Sequence, residues 1–150
     1  MLLDQLHEDL KQAQLDKNEP GVNTLRLLLS EIKNSEIKKS EELSDEEIVT
    51  VIQREIKKRK EAAMGFRQGN REESAIKEEQ EADLLAKYLP AQLSDMELSQ
   101  IIDEVIAETG AIGMTDMGKV IGLVMGKVKG SAEGSKISEI VKNKLIQKAA

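Results

Sequence analysis

The two helical halves of this sequence are separated by the stretch Leu89-Pro90-Ala91-Gln92-Leu93-Ser94-Asp95-Met96-Glu97-Leu98. Pro90 cannot continue a helix, because its ring removes a backbone donor and clashes with the preceding turn. Ser94 and Glu97 have the spacing of a capping box, in which each side chain bonds the backbone N–H of the other residue, so a new helix begins there. We therefore predict an N-terminal helical subdomain at 1–90 and a C-terminal three-helix domain at 91–150.

Apolar residues on both sides of this boundary recur at the three-and-four spacing of an α-helix, and no segment alternates as a strand does. The predicted helices cover residues 2–17, 22–39, 44–68, 71–89, 94–109, 115–128 and 135 onward. Residues 18–21 are expected to end the first helix, and a capping box of Ser44 and Glu47 to begin the third. The residues predicted to be buried on the fourth helix are Ile76, Leu84, Leu85 and Tyr88. The fold class is therefore predicted to be all-α, with about seven helices.

The residue types needed for most catalytic centres are missing. The sequence has no cysteine, which excludes disulfides, thiolate metal sites and cysteine nucleophiles, and His7 is its one histidine. No histidine–carboxylate spacing typical of a metal site is present, nor is a phosphate-binding P-loop or a serine-nucleophile motif. We predict no catalytic residue, no metal and no cofactor, and we expect the isolated chain not to be an enzyme.

The N-terminal residues lack the basic start and apolar run of a signal peptide. Elsewhere the longest apolar stretches have four residues or fewer, and spanning a bilayer requires roughly 20. These features predict a cytoplasmic protein that does not contact a membrane.

Charge is distributed unevenly along the chain, whose net charge is −6. Residues 91–116 carry six acidic side chains and no basic one, whereas residues 117–150 carry seven lysines and two glutamates, a local charge of +5. Lysines bind phosphates by releasing condensed counterions. The lysines predicted to bind nucleic-acid phosphates are Lys119, Lys127, Lys129, Lys136 and Lys142. With one tyrosine, one phenylalanine and no tryptophan, recognition would rest on shape and phosphate, not on base stacking.

The sixth predicted helix contains Gly118, Gly122 and Gly126 on one face, and Gly130 lies just beyond it. Each glycine costs about 1 kcal/mol relative to alanine inside a helix, so the three cost roughly 3 kcal/mol. Something must offset this loss. Two explanations stay open: another helix approaches the glycines closely, or the bare face lets an RNA backbone come near the flanking lysines.

A second basic run, Arg54-Glu55-Ile56-Lys57-Lys58-Arg59-Lys60, lies in the third predicted helix, and an acidic run follows in the fourth. Apolar residues are interleaved with the basic ones, which favours a solvated helix face. The acidic residues of the fourth helix are candidates for ion pairing with this run across a helical hairpin.

Three segments together carry a resemblance to a known family: Arg26-Leu27-Leu28-Leu29-Ser30-Glu31-Ile32-Lys33-Asn34, Tyr88-Leu89-Pro90-Ala91-Gln92-Leu93-Ser94, and Asp116-Met117-Gly118-Lys119-Val120 with Lys127-Val128-Lys129-Gly130. Through them essentially the whole chain resembles the YqeY family. Two positions depart from the family pattern, because Gly126 stands where a proline is expected and Glu133 where an aspartate is expected.

The YqeY family is similar to the C-terminal tail of the B subunit of the glutamine-dependent tRNA amidotransferase, a carbon–nitrogen ligase whose tail grips tRNA. The resemblance implies a stand-alone tRNA-binding or accessory module that lacks the amidase and kinase-like parts. It also implies an amidotransferase or another translation-related protein as a partner. The alternative is a protein–protein interaction module whose glycine-lined helix receives a partner helix.

Overall fold

The computed structural model describes residues 1–149, and the regular structure of that part of the chain is entirely helical. One 3-10 turn, Met114–Asp116, precedes the sixth of seven α-helices. The helices are α1 (Leu2–Leu15), α2 (Glu19–Lys39), α3 (Asp45–Gln68), α4 (Glu72–Ala86), α5 (Asp95–Thr109), α6 (Met117–Val128) and α7 (Gly134–Ala149). The all-α prediction is confirmed.

Helix α2 begins earlier than predicted, because residues 18–21 start this helix instead of ending the first one. The side-chain oxygen of Asn18 accepts a hydrogen bond of 3.2 Å from the backbone N–H of Gly21. Pro20 fits here because the first N–H groups of a helix have no partner inside the helix. The chain reverses just before it through Lys17, whose φ of 55° is left-handed.

Both predicted capping boxes are confirmed, at the starts of α3 and α5. The backbone N–H of Ser94 donates to the Glu97 carboxylate at 2.8 Å, and the N–H of Glu97 donates to the Ser94 hydroxyl at 3.2 Å. Ser44 and Glu47 make the same two hydrogen bonds. Helix α5 ends at Gly110, whose φ of 68° suits a residue without a side chain.

The described chain forms two compact units, which meet between Leu89 and Pro90, and each has a hydrophobic core. The core of the first unit contains Leu6, Leu25, Leu28, Ile32, Ile48, Val51, Ile52, Ile56, Ala82 and Leu85. The core of the second unit contains Leu98, Ile102, Val105, Ile106, Ala111, Val120, Val124, Val128, Ala132, Ile137, Val141 and Leu145. Each unit therefore has apolar burial of its own.

The buried face of α4 differs from the predicted one. Ile76 is 43% exposed, so its predicted burial is wrong, whereas Ala75 and Ala82 are buried together with Leu85. Adjacent helical residues point about 100° apart, so burial of Ala75 turns Ile76 towards solvent.

One cation of the basic run of α3, Arg59, pairs with an acidic residue of α4, as the sequence suggested. Arg59 lies 3.1 Å from the Glu55 carboxylate and 3.4 Å from that of Glu81, and both Arg59 and Glu55 are buried. Near the end of the same hairpin, the exposed Arg67 pairs with Glu79 at 2.6 Å. These cations therefore belong to the α3–α4 hairpin of the first unit.

Candidate interaction site in the C-terminal unit

The exposed side of α6 is formed by glycines. Val120, Val124 and Val128 are buried in the core of the second unit, and each follows a glycine by two positions, a rotation of about 200° on a helix. The three glycines Gly118, Gly122 and Gly126 are therefore turned away from the core, and all three are exposed. We call this side of α6 the glycine face.

No described atom occupies the space above the glycine face. A Cβ atom built on Gly118, Gly122 or Gly126 would meet nothing within 4 Å. Within the described part of the second unit, therefore, no helix packs against these glycines and offsets their cost of about 1 kcal/mol each. Close approach from outside the described chain stays a prediction for these three positions.

Gly130 has a different explanation, since it lies in the loop between α6 and α7 and has a φ of 87°. That left-handed conformation favours glycine. Its carbonyl accepts a hydrogen bond of 3.1 Å from the Gln92 side chain, which also donates to the Pro90 carbonyl at 2.7 Å. The backbone N–H of Leu93 donates to the Ser131 carbonyl at 2.8 Å. The segment before α5 therefore fastens this loop.

Sequence reasoning missed this role of Gln92. Its one signal was the position of Gln92 inside the Tyr88–Ser94 motif. Two backbone N–H groups at this loop bond within the chain, since Lys129 donates to the Met125 carbonyl and Ser131 donates to the Val128 carbonyl. The loop is consequently ordered by its own backbone hydrogen bonds.

Apolar and basic side chains border the glycine face. Leu123 and Met125 are 46% and 49% exposed, and Ile112 and Met114, in the segment before α6, are exposed as well. Lys119 is exposed, and its ammonium group has no ion pair or hydrogen bond with any described residue. The face thus combines bare backbone, apolar edges and a positive charge.

The lysines of the C-terminal segment do not form one uninterrupted basic surface. Three of them pair with carboxylates of α5: Lys127 with Glu108 at 3.3 Å, Lys136 with Asp95 at 2.6 Å and Lys144 with Asp103 at 2.8 Å. The hydrogen bond to Asp95, followed by its charge, raises the pKa of the Lys136 ammonium. These pairs neutralise part of the local charge of +5.

Two of the five predicted phosphate-binding lysines therefore have carboxylate partners, namely Lys127 and Lys136. Lys119 and Lys142 are exposed and have no ionic partner among the described residues. Lys129 ends α6 with a left-handed φ of 45°. Counting side chains, residues 90–150 carry seven lysines and eight carboxylates, a net charge of −1. Whether the five lysines bind nucleic acid stays a prediction.

The comparison with known families agrees with the motif positions. A family model described as Yqey-like protein matches residues 3–145. The chain belongs to the YqeY family. Within this YqeY chain, the matched range covers both units and includes the glycine face and Gln92.

Similar proteins include three that are each named altered inheritance of mitochondria protein 41, mitochondrial. The protein from Pyrenophora tritici-repentis is 31% identical over 94% of the YqeY chain and 81% of the relative. The protein from Vanderwaltozyma polyspora is 33% identical over 75% of the YqeY chain and 64% of the relative. The protein from Clavispora lusitaniae is 32% identical over 73% of the YqeY chain and 65% of the relative. The YqeY chain thus spans less than two thirds of the length of the last two relatives.

The names of these relatives contradict the cytoplasmic location predicted from the sequence. They point to mitochondria instead, so that prediction is wrong. It rested on the lack of a secretory signal and of long apolar runs, and neither feature distinguishes the cytoplasm from the interior of an organelle.

Within residues 1–149 of the YqeY chain, no helix has both the length and the apolar character needed to cross a membrane. In the same range, no three His, Asp or Glu side chains are arranged to hold a metal ion. His7 is exposed and borders an open groove between α1 and α2.

Tyr88, from the second family motif, bonds back to α1. Its hydroxyl donates a hydrogen bond of 2.5 Å to the Asp9 carboxylate. Burial, followed by this hydrogen bond, raises the pKa of the Tyr88 hydroxyl above its ordinary value of 10.0. The first unit therefore favours the protonated tyrosine, since ionisation would remove the donor and place two negative charges together.

The stabilising effect of Tyr88 should depend on pH. Below pH 10, we expect the free energy of unfolding of wild type to be about 1.5 kcal/mol higher than that of Tyr88→Phe. The pKa of the Tyr88 hydroxyl is higher in the folded state than in the unfolded state. The stability advantage of wild type is therefore complete below the unfolded-state pKa and shrinks as the pH rises above that value. Urea denaturation of both proteins between about pH 8 and 11 measures the difference. An advantage that stays constant across this range contradicts the expectation.

Proposed function

We propose that this YqeY protein is a binding module that receives a helix of a partner protein on the glycine face and has no catalytic activity in isolation. One observation supports the proposal: three glycines on the exposed side of α6 have open space above them. Small residues let two helix axes come close, because interaxial distance depends on the side chains at the contact. Packing of a partner there would offset the helix propensity lost at each glycine.

The borders of the glycine face indicate the chemistry of the partner helix. Leu123 and Met125 offer apolar contacts on either side of the glycines. No acidic side chain occurs between Met117 and Ala132, and Lys119 has no ionic partner. The partner helix should therefore present small or apolar residues to the glycines and acidic residues at its edges.

tRNA is the second candidate partner, favoured by the unpaired Lys119 and Lys142 and by the similarity of the family to the amidotransferase tail. The three ion pairs with α5 weigh against it, because they already neutralise cations that phosphate binding requires. An amidotransferase or another translation-related protein is the assembly that this candidate implies.

A photo-crosslinking residue in place of Leu123 tests the partner-helix proposal. We expect it to cross-link a protein segment that forms an amphipathic helix with acidic edges. With that partner purified, Gly122→Ala should weaken binding about tenfold or more, because the added methyl group lies at the closest contact. Lys119→Gln should weaken binding less, because an exposed ion pair contributes little.

Gly65→Ala is the matched control for this experiment. Gly65 is an exposed glycine inside α3 with nothing within 4 Å of its Cβ position, so its substitution should leave partner affinity unchanged. Equal affinity of wild type and Gly122→Ala would reject the glycine face as the contact surface. Failure to cross-link any protein would reject the partner-helix proposal.

Mobility-shift titrations with bulk tRNA at several salt concentrations test the second candidate. Phosphate contacts from all five predicted lysines give a slope of roughly −4 for log affinity against log salt, whereas contacts from Lys119 and Lys142 alone give about −2. Because Lys127 and Lys136 are ion-paired, we expect a slope shallower than that for five contacts if tRNA binds, and loss of binding when both Lys119 and Lys142 become glutamine. Lack of a shift at low salt and tens of micromolar protein rejects tRNA.

A further inference from the structure

A partly enclosed cavity lies in the first unit, between the start of α2 and the middle of α4. Its volume is about 260 Å³, slightly below the size range of pockets for drug-sized ligands. From α2 it is lined by Asn18, Pro20, Gly21 and Thr24, and from α4 by Lys77, Gln80, Glu81 and Leu84. The function proposed for α6 makes no use of this cavity.

The wall of this cavity contains a buried hydroxyl without a partner. Thr24 is 1% exposed, and its side-chain oxygen makes no hydrogen bond in the described chain. Buried polar groups nearly always have partners, so each exception requires an explanation such as a bound molecule. The other unbonded buried atom found in residues 1–149 is Nε of Arg59, which contacts the lining carboxylate of Glu81 at 3.4 Å.

The unused polar groups around the cavity are hydrogen-bond donors. Asn18 uses its side-chain oxygen to cap α2, which leaves its amide nitrogen available. Lys77 and Gln80 have no side-chain partner among the described residues, and both are exposed at the rim. Glu81, the acidic lining residue, is already paired with Arg59. The site can therefore donate several hydrogen bonds and offers one free positive charge.

We propose that this cavity binds a small monocarboxylate with a short apolar tail. The carboxylate accepts hydrogen bonds from Lys77, Gln80 and Thr24, while the tail packs against Pro20 and Leu84. The Thr24 hydroxyl is inaccessible to solvent in this structure, so contact with the carboxylate requires rotation of its side chain towards the cavity. The small volume limits the ligand to a few carbon atoms, and a ligand of this size binds with an affinity of about 1 to 10 mM.

Titration of the full chain with sodium butyrate tests this proposal by NMR. The amide signals of Gly21, Thr24 and Gln80 should shift to saturation by about 100 mM butyrate at constant ionic strength. Butyramide and butylammonium, which have the same number of carbon atoms and a neutral or positive head, should bind at least about tenfold more weakly. Preference for the carboxylate over its amide is the result specific to this site.

Two variants locate the binding groups. Thr24→Val keeps the shape of the side chain and removes the unpartnered hydroxyl, and Lys77→Gln removes an exposed charge, so both are expected to fold. Each should weaken butyrate binding about tenfold. Lys57→Gln is the control, because Lys57 is an exposed lysine of α3 that does not line the cavity. Its affinity should equal that of wild type.

Three results would overturn the proposal. If water alone fills the cavity, butyrate produces no saturable shift at these amides. Equal affinities for butyrate and butyramide would show that no carboxylate is recognised. Equal weakening by Lys57→Gln and Lys77→Gln would show that butyrate responds to net charge and not to this cavity.

Discussion

Replacing Gly118, Gly122 and Gly126 together with alanine is expected to stabilise the C-terminal unit by about 2 kcal/mol. The three positions are helical and exposed, and a Cβ atom at each meets open space, so the alanines gain helix propensity without a clash. The expected gain in stability is less than three times the value of about 1 kcal/mol per glycine, because Gly118 lies in the first turn of α6. Hydrogen exchange of the core amides of α5 to α7 measures this unit by itself.

The same triple variant should lose the partner that the glycine face receives. A more stable protein that no longer binds is expected when residues are retained for function at a cost in stability. Gly65→Ala again provides the control, since it should stabilise α3 by about 1 kcal/mol without affecting partner binding. A triple variant less stable than wild type would mean that another part of the protein in solution packs on these glycines.

Replacing Arg59 with methionine is expected to destabilise the N-terminal unit by about 3 kcal/mol. Arg59 and Glu55 are 7% and 5% exposed, and loss of the guanidinium leaves the Glu55 carboxylate buried with only Lys58 nearby at 3.2 Å. Removing one partner of a buried ion pair costs far more than the intact pair contributes, and the exposed Lys58 compensates only part of the remaining charge. Urea denaturation followed through the α2 and α3 amides measures the loss.

Arg67→Met is the matched control, because Arg67 lies on the same helix and makes two ion pairs, as Arg59 does, but is exposed. It bonds Glu72 at 2.9 Å and Glu79 at 2.6 Å, and these hydrogen bonds raise the pKa of its guanidinium. Water replaces such contacts easily when the residue is lost, so the destabilisation should be much smaller than for Arg59→Met. Comparable losses in the two variants would show that burial does not determine the cost.

Local patterns predicted the helices well, and they failed where packing determines the outcome. The capping boxes of Ser44 and Ser94 were predictable because their partners lie three residues away. Asn18 was misread because the same residues are compatible with the end of one helix and the start of the next. Ile76 was misplaced because periodicity alone did not show that the smaller Ala75 takes the buried position.

The candidate site was predicted in part. The glycines were recognisable from their spacing, but their exposure depends on which side of α6 the valines bury. The five lysines were identified from a local charge of +5, which takes no account of the acidic residues of α5. The function of Gln92 could not be derived, since its partner Gly130 is 38 residues away along the chain.

The sequence by itself determined the all-α fold and the helix starts at Ser44 and Ser94, because these features depend on interactions between residues a few positions apart. Only the tertiary structure decided that the glycine face is open and that Lys127 and Lys136 have carboxylate partners. The physical reason is that exposure and ion pairing depend on distances between different helices, and spacing within one helix does not contain those distances.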